Sequence, residues 1–153
     1  PEMNGHFLNG THHPADRVHL GLAVSLRSGG LVAPAIRDTD TRTVDDLSQA
    51  VMDVVQRARA GRLRSSEMTD ATLTVSSLGE RGVETVFGVI YPPQVAIVGF
   101  GRVTARPWAE EGLLGVRRAV TVTLSGDHRI SDGHRGGLFL REIATLLTKP
   151  EEL

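Results

Sequence analysis

The sequence predicts an α/β domain, and three observations carry that expectation. Alternating or continuous runs of β-branched and apolar residues, bounded by Gly, Pro and Ser, recur along the chain as strands. Two stretches, one opening at Thr43 and one at Gly133, instead repeat apolar residues at helical spacing. The 153 residues are 40% hydrophobic and 23% charged, enough for one domain with a real core.

Composition excludes several classes of function. Seventeen basic residues against eighteen acidic leave a net charge of −1, without the basic footprint that nucleic acid or an anionic membrane requires. There is no cysteine, hence no disulfide framework and no thiolate chemistry, which fits a cytoplasmic protein. No apolar run reaches spanning length and no basic-then-apolar leader is present. Lys149 is the only lysine, so no lysine stands in a sharp hairpin turn to carry a lipoyl group. The chain opens at Pro1 rather than Met, as expected if the numbering starts inside a longer product.

Taken in order, residues 1–16 read as an N-terminal loop or arm, rich in Gly, Asn and His, and residues 17–153 as the domain proper. His6, His12, His13 and His19 lack the regular ligand spacing of a metal site. Arg17–Arg27 alternates as a strand, Ser28-Gly29-Gly30 turns, and Leu31–Ile36 is a second strand that Pro34 places at an edge or irregularity. Thr43 opens the clearest helix as N-cap with Asp46 three residues on. Val44, Leu47, Val51, Val54, Val55 and Ala58 form its core face, and Gly61 its stop. A short helical turn at Arg64–Thr69 precedes a strand at Ala71–Ser77, with Ser76 at its end.

A further strand is expected over Thr85–Ile90, then a turn at Pro92-Pro93. Gln94–Val103 reads as an apolar strand closely approached at Gly99 and Gly101. A polar loop, Trp108–Gly115, leads into a long strand, Val116–Ser125, paired with the preceding one. The last helix runs over Gly133–Thr148, with Leu138, Ile143, Leu146 and Leu147 on one side, Asp132 as its cap and Lys149-Pro150 as its end.

The stretch that organises the chain is Thr121–His134. Its strand stops at Gly126 and delivers Asp127, His128 and Asp132 into a polar loop, where a histidine of near-neutral pKa suits acid–base work. The string Ser125-Gly-Asp-His-Arg-Ile-Ser-Asp-Gly133 resembles the active-site motif of the dihydrolipoamide acyltransferases, the core components of 2-oxo acid dehydrogenase complexes, and more distantly that of the chloramphenicol acetyltransferases. Four more segments match in order: Gly21–Val24 with Gly30–Asp40, Ala58–Leu63, Thr72–Gly79 and Ile90–Gly99. Asp70-Ala71 and His134-Arg-Gly-Gly137 depart from the family's usual glycine-rich pair and alanine-rich helix start.

The resemblance implies the CoA-dependent acyltransferase fold, an α/β sandwich with a mixed sheet, of which this chain would be the C-terminal part. The opening helix and strands, a peripheral-subunit-binding domain and a lipoyl domain would lie upstream. It implies homotrimers that build a larger core, served by a 2-oxo acid decarboxylase-dehydrogenase and by dihydrolipoamide dehydrogenase, with an active site between subunits. Coenzyme A would be a substrate, and the lipoyl group would ride on a separate domain. His128 is then the base, Ser76 of a neighbour the oxyanion donor with Ser77 as fallback, and Asp132 a support. Acetyl or branched-chain acyl groups are favoured over succinyl.

Three other readings stand beside this one. A serine-type thioester hydrolase would use Ser76 and His128, but Thr74-Val-Ser-Ser-Leu lacks the Gly-x-Ser-x-Gly elbow. A metal site from His128 and His134 lacks further ligands at a suitable spacing. A non-catalytic assembly core would keep the surfaces and lack the pocket.

Overall fold

The computed structural model describes residues 1–79 and 82–149. In chain order these form β1 (Gly5–Leu8), β2 (Thr11–Pro14), β3 (Leu20–Leu22), β4 (Val24–Ser25), β5 (Leu31–Val32), β6 (Ala35–Ile36), a 3₁₀ turn (Thr39–Thr41), α1 (Val44–Arg59), α2 (Ser65–Thr69), β7 (Leu73–Ser77), β8 (Ala96–Phe100), β9 (Thr104–Glu110), β10 (Leu113–Ala119), β11 (Val122–Gly126) and α3 (Gly133–Thr148). The expected α/β class with a mixed sheet is what forms. Five strands lie in the order β11-β8-β7-β3-β6, with β7 parallel to β8 and β3, and both outer strands antiparallel to their neighbours. Parallel neighbours need a crossover. The one from β3 to β7 carries both α1 and α2.

Local chemistry sets the helices. The Thr43 hydroxyl accepts from Asp46 N–H (3.2 Å) and donates to the Asp46 carboxylate (2.9 Å), which closes the first turn of α1. Asp45 and Asp46 at its start and Arg57 and Arg59 at its end complement the helix dipole. Val54 and Ala58 are its buried residues, and Gly61 just beyond it takes φ +66°. Asp132 caps α3 by accepting from Arg135 N–H at 2.9 Å, as its position before Gly133 predicts. Lys149 closes that helix, and Pro150 lies outside the described residues.

One sheet face forms the apolar core. Met3, Leu73, Ala96 and Val98 are buried there, with Leu20, Val75, Phe100, Val122 and Leu124 packed around them and Phe139 and Ile143 of α3 closing over the top. Leu147, expected on the same side of the helix, is half exposed instead. Gly136 is buried because a Cβ there would come within 3.2 Å of Leu124. The glycine inside the helix thus lets α3 settle onto β11.

The opposite face sets Thr74, Ser76, Thr123 and Ser125 around the buried Ile97, and a stretch without ladder pairing crosses it. Thr123 donates its hydroxyl to Val86 O, and Ser125 donates to Gly88 O at 2.6 Å. A Cβ on Gly99 would stand 2.5 Å from Val86 O, and one on Gly101 would overlap Glu84 O. The close approach read at those two glycines is therefore real. The strand expected over Thr85–Ile90 is not, because side-chain hydroxyls rather than a neighbouring backbone hold the segment.

Other expectations also need correction. Residues 1–16 are no solvated loop: they form the β1–β2 hairpin, tied to the body by Gly5 N–H to Thr72 O (3.0 Å), Phe7 N–H to Pro93 O (2.8 Å) and the buried Met3. Its histidine ring at position 6 donates Nε2–H to Ala71 O (2.9 Å). The strand expected over Arg17–Arg27 is divided into β3 and β4, and Leu31–Ile36 into β5 and β6, as the chain leaves the five-stranded sheet for a separate pairing of β4 with β5. The polar loop Trp108–Gly115 belongs to the β9–β10 hairpin, which turns at Glu111 and Gly112, both at positive φ. Val116–Ser125 accordingly breaks in two, β10 pairing with β9 and β11 with β8.

Candidate functional site

His128 stands on a tight turn just past β11. Ile130 N–H bonds to Asp127 O at 3.0 Å and Ser131 N–H to the same oxygen at 3.2 Å, so the imidazole projects from the turn's first corner, exposed. Asp127 anchors the turn to the sheet through its N–H to Val95 O (2.8 Å). Its carboxylate accepts from Arg129 N–H (3.0 Å) and from the Arg129 guanidinium, Nε at 2.9 Å and Nη2 at 2.5 Å. These bonds hold the Asp127 carboxyl below the usual carboxylate range and raise Arg129 above its ordinary value.

Beside His128 lies a cleft of about 170 Å³ lined by Met3, Leu124, Gly126, Ser131, Asp132 and Gly136 among others. Asp132 is ionised there. The Arg135 N–H it accepts lowers its pKa first, with the nearby His134 and His128 adding in the same direction. Asp132 therefore joins the cap of α3 to the electrostatics around the imidazole.

Ser76 lies elsewhere. It is the fourth residue of β7, opposite Gly99, and opens on a cleft of about 270 Å³ lined by Ala23, Val24, Ser25, Leu31, Val55, Arg59, Ser77 and Leu78. Strand alternation sends Leu73 and Val75 toward α3, and Thr74 and Ser76 to the opposite face. Ser77 is exposed, and its hydroxyl accepts from Gly79 N–H at 3.4 Å. The Ser76 hydroxyl makes no hydrogen bond among the described residues, which leaves it available to a ligand.

The register separates the two half-sites. Gly99 faces both Ser76 and Thr123, whereas Gly126, which leads to His128, faces Ala96 at the other end of β8. Two strand spacings and three residues put Ser76 and Gly126 about 14 Å apart on strand geometry alone. A single chain brings His128 and Asp132 together and does not bring Ser76 to them. Among the described residues no group of three or more His, Asp or Glu side chains is arranged to hold a metal ion, and His128 and His134 gain no further ligand. No helix among them is long and apolar enough to cross a membrane.

Sequence reasoning missed the supports of the turn. Arg129 reaches across to the N-terminal hairpin and stacks on Phe7, its guanidinium carbon 3.7 Å from the ring centroid. An Asp two residues before an Arg is a signal for such a chelate, but nothing local announces the ring. Arg59 falls within the matched segment Ala58–Leu63, but nothing local places it in the cleft with Ser76.

Comparison with known proteins places this geometry. The chain is 34% identical over 131 residues to the dihydrolipoyllysine-residue acetyltransferase component of the Zymomonas mobilis pyruvate dehydrogenase complex, covering 86% of this chain and 30% of that one. It is 36% identical over 134 residues to the succinyltransferase component of the Rickettsia typhi 2-oxoglutarate dehydrogenase complex, covering 88% and 33%. The solved dihydrolipoamide acetyltransferase of Azotobacter vinelandii, in which the catalytic roles of a serine, a histidine and an asparagine were investigated, superposes with a TM-score of 0.90. It shares 29% identity over 96% of this chain and 61% of that one. The chain thus spans about a third of the length of the two sequence relatives. The model of the 2-oxoacid dehydrogenases acyltransferase catalytic domain matches residues 1–153 from end to end, so the chain belongs to that family.

Proposed function

We propose that this chain transfers an acyl group between dihydrolipoamide and coenzyme A, as part of the core of a 2-oxo acid dehydrogenase complex. One observation carries the reading. The Azotobacter serine and histidine are separated by the interval between Ser76 and His128, and its histidine and asparagine by the interval between His128 and Asp132. Asp132 in place of the asparagine keeps a side chain able to cap α3 and adds a charge beside the base.

His128 is the base and a neighbouring subunit's Ser76 the oxyanion donor, in a homotrimer that builds a larger core. A thiol of pKa about 8.5 is mostly protonated at neutral pH, so its attack requires a proton acceptor. The imidazole of His128 takes the S–H proton as sulfur bonds to the thioester carbonyl carbon. The Ser76 O–H donates to the resulting oxyanion. Collapse breaks the original C–S bond, and the imidazolium returns the proton to the departing thiolate. Ser76 as a nucleophile is disfavoured, because Thr74-Val-Ser-Ser-Leu78 lacks the Gly-x-Ser-x-Gly elbow that presents such a serine.

Coenzyme A and the lipoyl group, the latter on a separate domain, are the two thiol substrates, and both clefts are open to solvent-borne chains. The decarboxylase-dehydrogenase and dihydrolipoamide dehydrogenase components are the partners that load and reoxidise the lipoyl arm. Acetyl and branched-chain acyl groups suit the aliphatic residues that line much of both clefts, but Arg59 beside Ser76 supplies a cation there. Succinyl-CoA therefore belongs in the same panel. The test is acyl transfer from that panel to dihydrolipoamide by the full-length protein, with its assembly mass measured alongside. Transfer by an assembled trimer or multiple of it supports the proposal; assembly without transfer leaves a scaffold, and hydrolysis without transfer a thioesterase.

A further inference from the structure

The turn that presents His128 is exposed, yet it is held more firmly than an exposed turn requires. Besides the bonds to Asp127 O, its second corner residue, Arg129, is fixed at the backbone by the Asp127 carboxylate and at the guanidinium by both oxygens of the same group. The Asp127 side chain is 14% exposed and the Arg129 side chain 64%, so the carboxylate is the rooted end of the pair and the guanidinium its free end. An exposed ion pair by itself contributes little to stability. What gives this one a fixed direction is Phe7, whose ring meets the planar guanidinium at 3.7 Å.

Phe7 is in turn rooted. Its N–H bonds to Pro93 O, and it stands across from His12 of β2 in the hairpin, so its backbone is held in place. Gln94, two residues before β8, bridges to the neighbouring His6. The hairpin, the start of β8 and the turn after β11 therefore close on one another through Phe7, Arg129 and Asp127, with His128 between the last two.

We propose that Phe7 and Arg129 are positioning residues for His128: the ring and the Asp127 carboxylate hold the guanidinium between them, and together they fix the corner from which the imidazole reaches the thiol. This rests on the reading of His128 as the base. A base displaced by an ångström loses alignment with the proton it must take, which costs turnover far more than substrate affinity.

The experiment is steady-state acyl transfer by the full-length protein carrying Phe7→Leu, Phe7→Tyr, Arg129→Lys, the Phe7→Leu/Arg129→Lys double substitution, and His128→Ala. Phe7→Leu keeps apolar bulk and loses the π face; Phe7→Tyr keeps both. Arg129→Lys keeps the charge and loses the fork. The expected result is a fall in kcat of about tenfold or more for Phe7→Leu and Arg129→Lys with KM for both substrates little changed, near-normal kcat for Phe7→Tyr, and a double variant no worse than the poorer single one. Wild-type kcat in Phe7→Leu and Arg129→Lys, with His128→Ala inactive, overturns the positioning role and spares the base. Equal losses in Phe7→Leu and Phe7→Tyr also overturn it, since bulk and not the π face would then matter. Near-normal turnover in His128→Ala removes the base and this proposal with it. If Phe7→Leu fails to assemble, Arg129→Lys carries the same test, its kcat being expected to fall at constant KM and an unchanged kcat overturning the proposal.

Discussion

Ser76 and His128 occupy opposite ends of the central sheet: Ser76 is level with Gly99 and Thr123, while the strand that leads to His128 ends level with Ala96. Neither can serve the other within one chain. If a neighbour supplies the missing half, two inactive variants should complement. Mixed assemblies of Ser76→Ala and His128→Ala subunits, dissociated and reassembled at equal amounts, are expected to recover activity at about a quarter of the sites. Activity no higher than that of either variant alone would place the whole site in one chain.

The two half-sites differ in what their loss costs. His128→Ala should lower turnover by about 10²–10⁴-fold through loss of the base, and Ser76→Ala by about 10²–10³-fold through loss of one oxyanion donor. Ser77→Ala should be almost silent, because that hydroxyl already accepts from Gly79 N–H and points to solvent. The opposite ranking of the two serines would move the donor by one residue.

Gly99 shapes the fold rather than the chemistry. A methyl group there would meet Val86 O at 2.5 Å and the Thr123 hydroxyl at 2.6 Å, so the crossing segment and the bond that holds it must both shift. Gly99→Ala is expected to cost about 1–3 kcal/mol in urea unfolding. Gly115→Ala is the control: its methyl meets nothing within 4 Å, and its effect should stay within about 0.5 kcal/mol. Equal midpoints for the two variants would mean that the segment yields freely.

Acid should weaken the protein through its arginine-paired carboxylates. Glu67 accepts both Arg57 Nη groups at 2.7 Å, and this pairing holds its pKa below the usual range, as Arg37 does for Asp70 and Arg129 for Asp127. A carboxyl depressed in the folded state contributes stability above its unfolded pKa, about 4, and that contribution disappears as pH falls through the lower folded value. The urea midpoint should therefore change little from pH 7 to 5 and decline below about pH 4. Glu67→Gln should be less stable at neutral pH and lose less on acidification. A variant declining as steeply as the parent would assign the acid sensitivity to other groups.

Much of the candidate site was legible because its signals are local. The end of β11 at Gly126, the cap of α3 at Asp132 and the cap of α1 at Thr43 each depend on atoms within three or four residues, and each forms as read. The β9–β10 hairpin was not legible, because Glu111-Gly112 takes positive φ at both positions without the Asn or Asp that usually marks such a turn. The segment crossing the sheet at Val86 and Gly88 has the composition of a strand. It forms none because it lies over the face of the sheet, held there by the hydroxyls of Thr123 and Ser125 rather than by a neighbouring backbone.

By itself, the sequence determined the α/β class, the helix limits, the family motif and the identity of His128, Asp132 and Ser76 as the residues to place. Only the tertiary structure decided that the first sixteen residues form a hairpin whose Phe7 braces the histidine turn, and that Ser76 and His128 open on different clefts. Caps and periodicities are written in neighbouring residues, whereas the level at which one strand meets another is set by the closing of distant segments over a shared core.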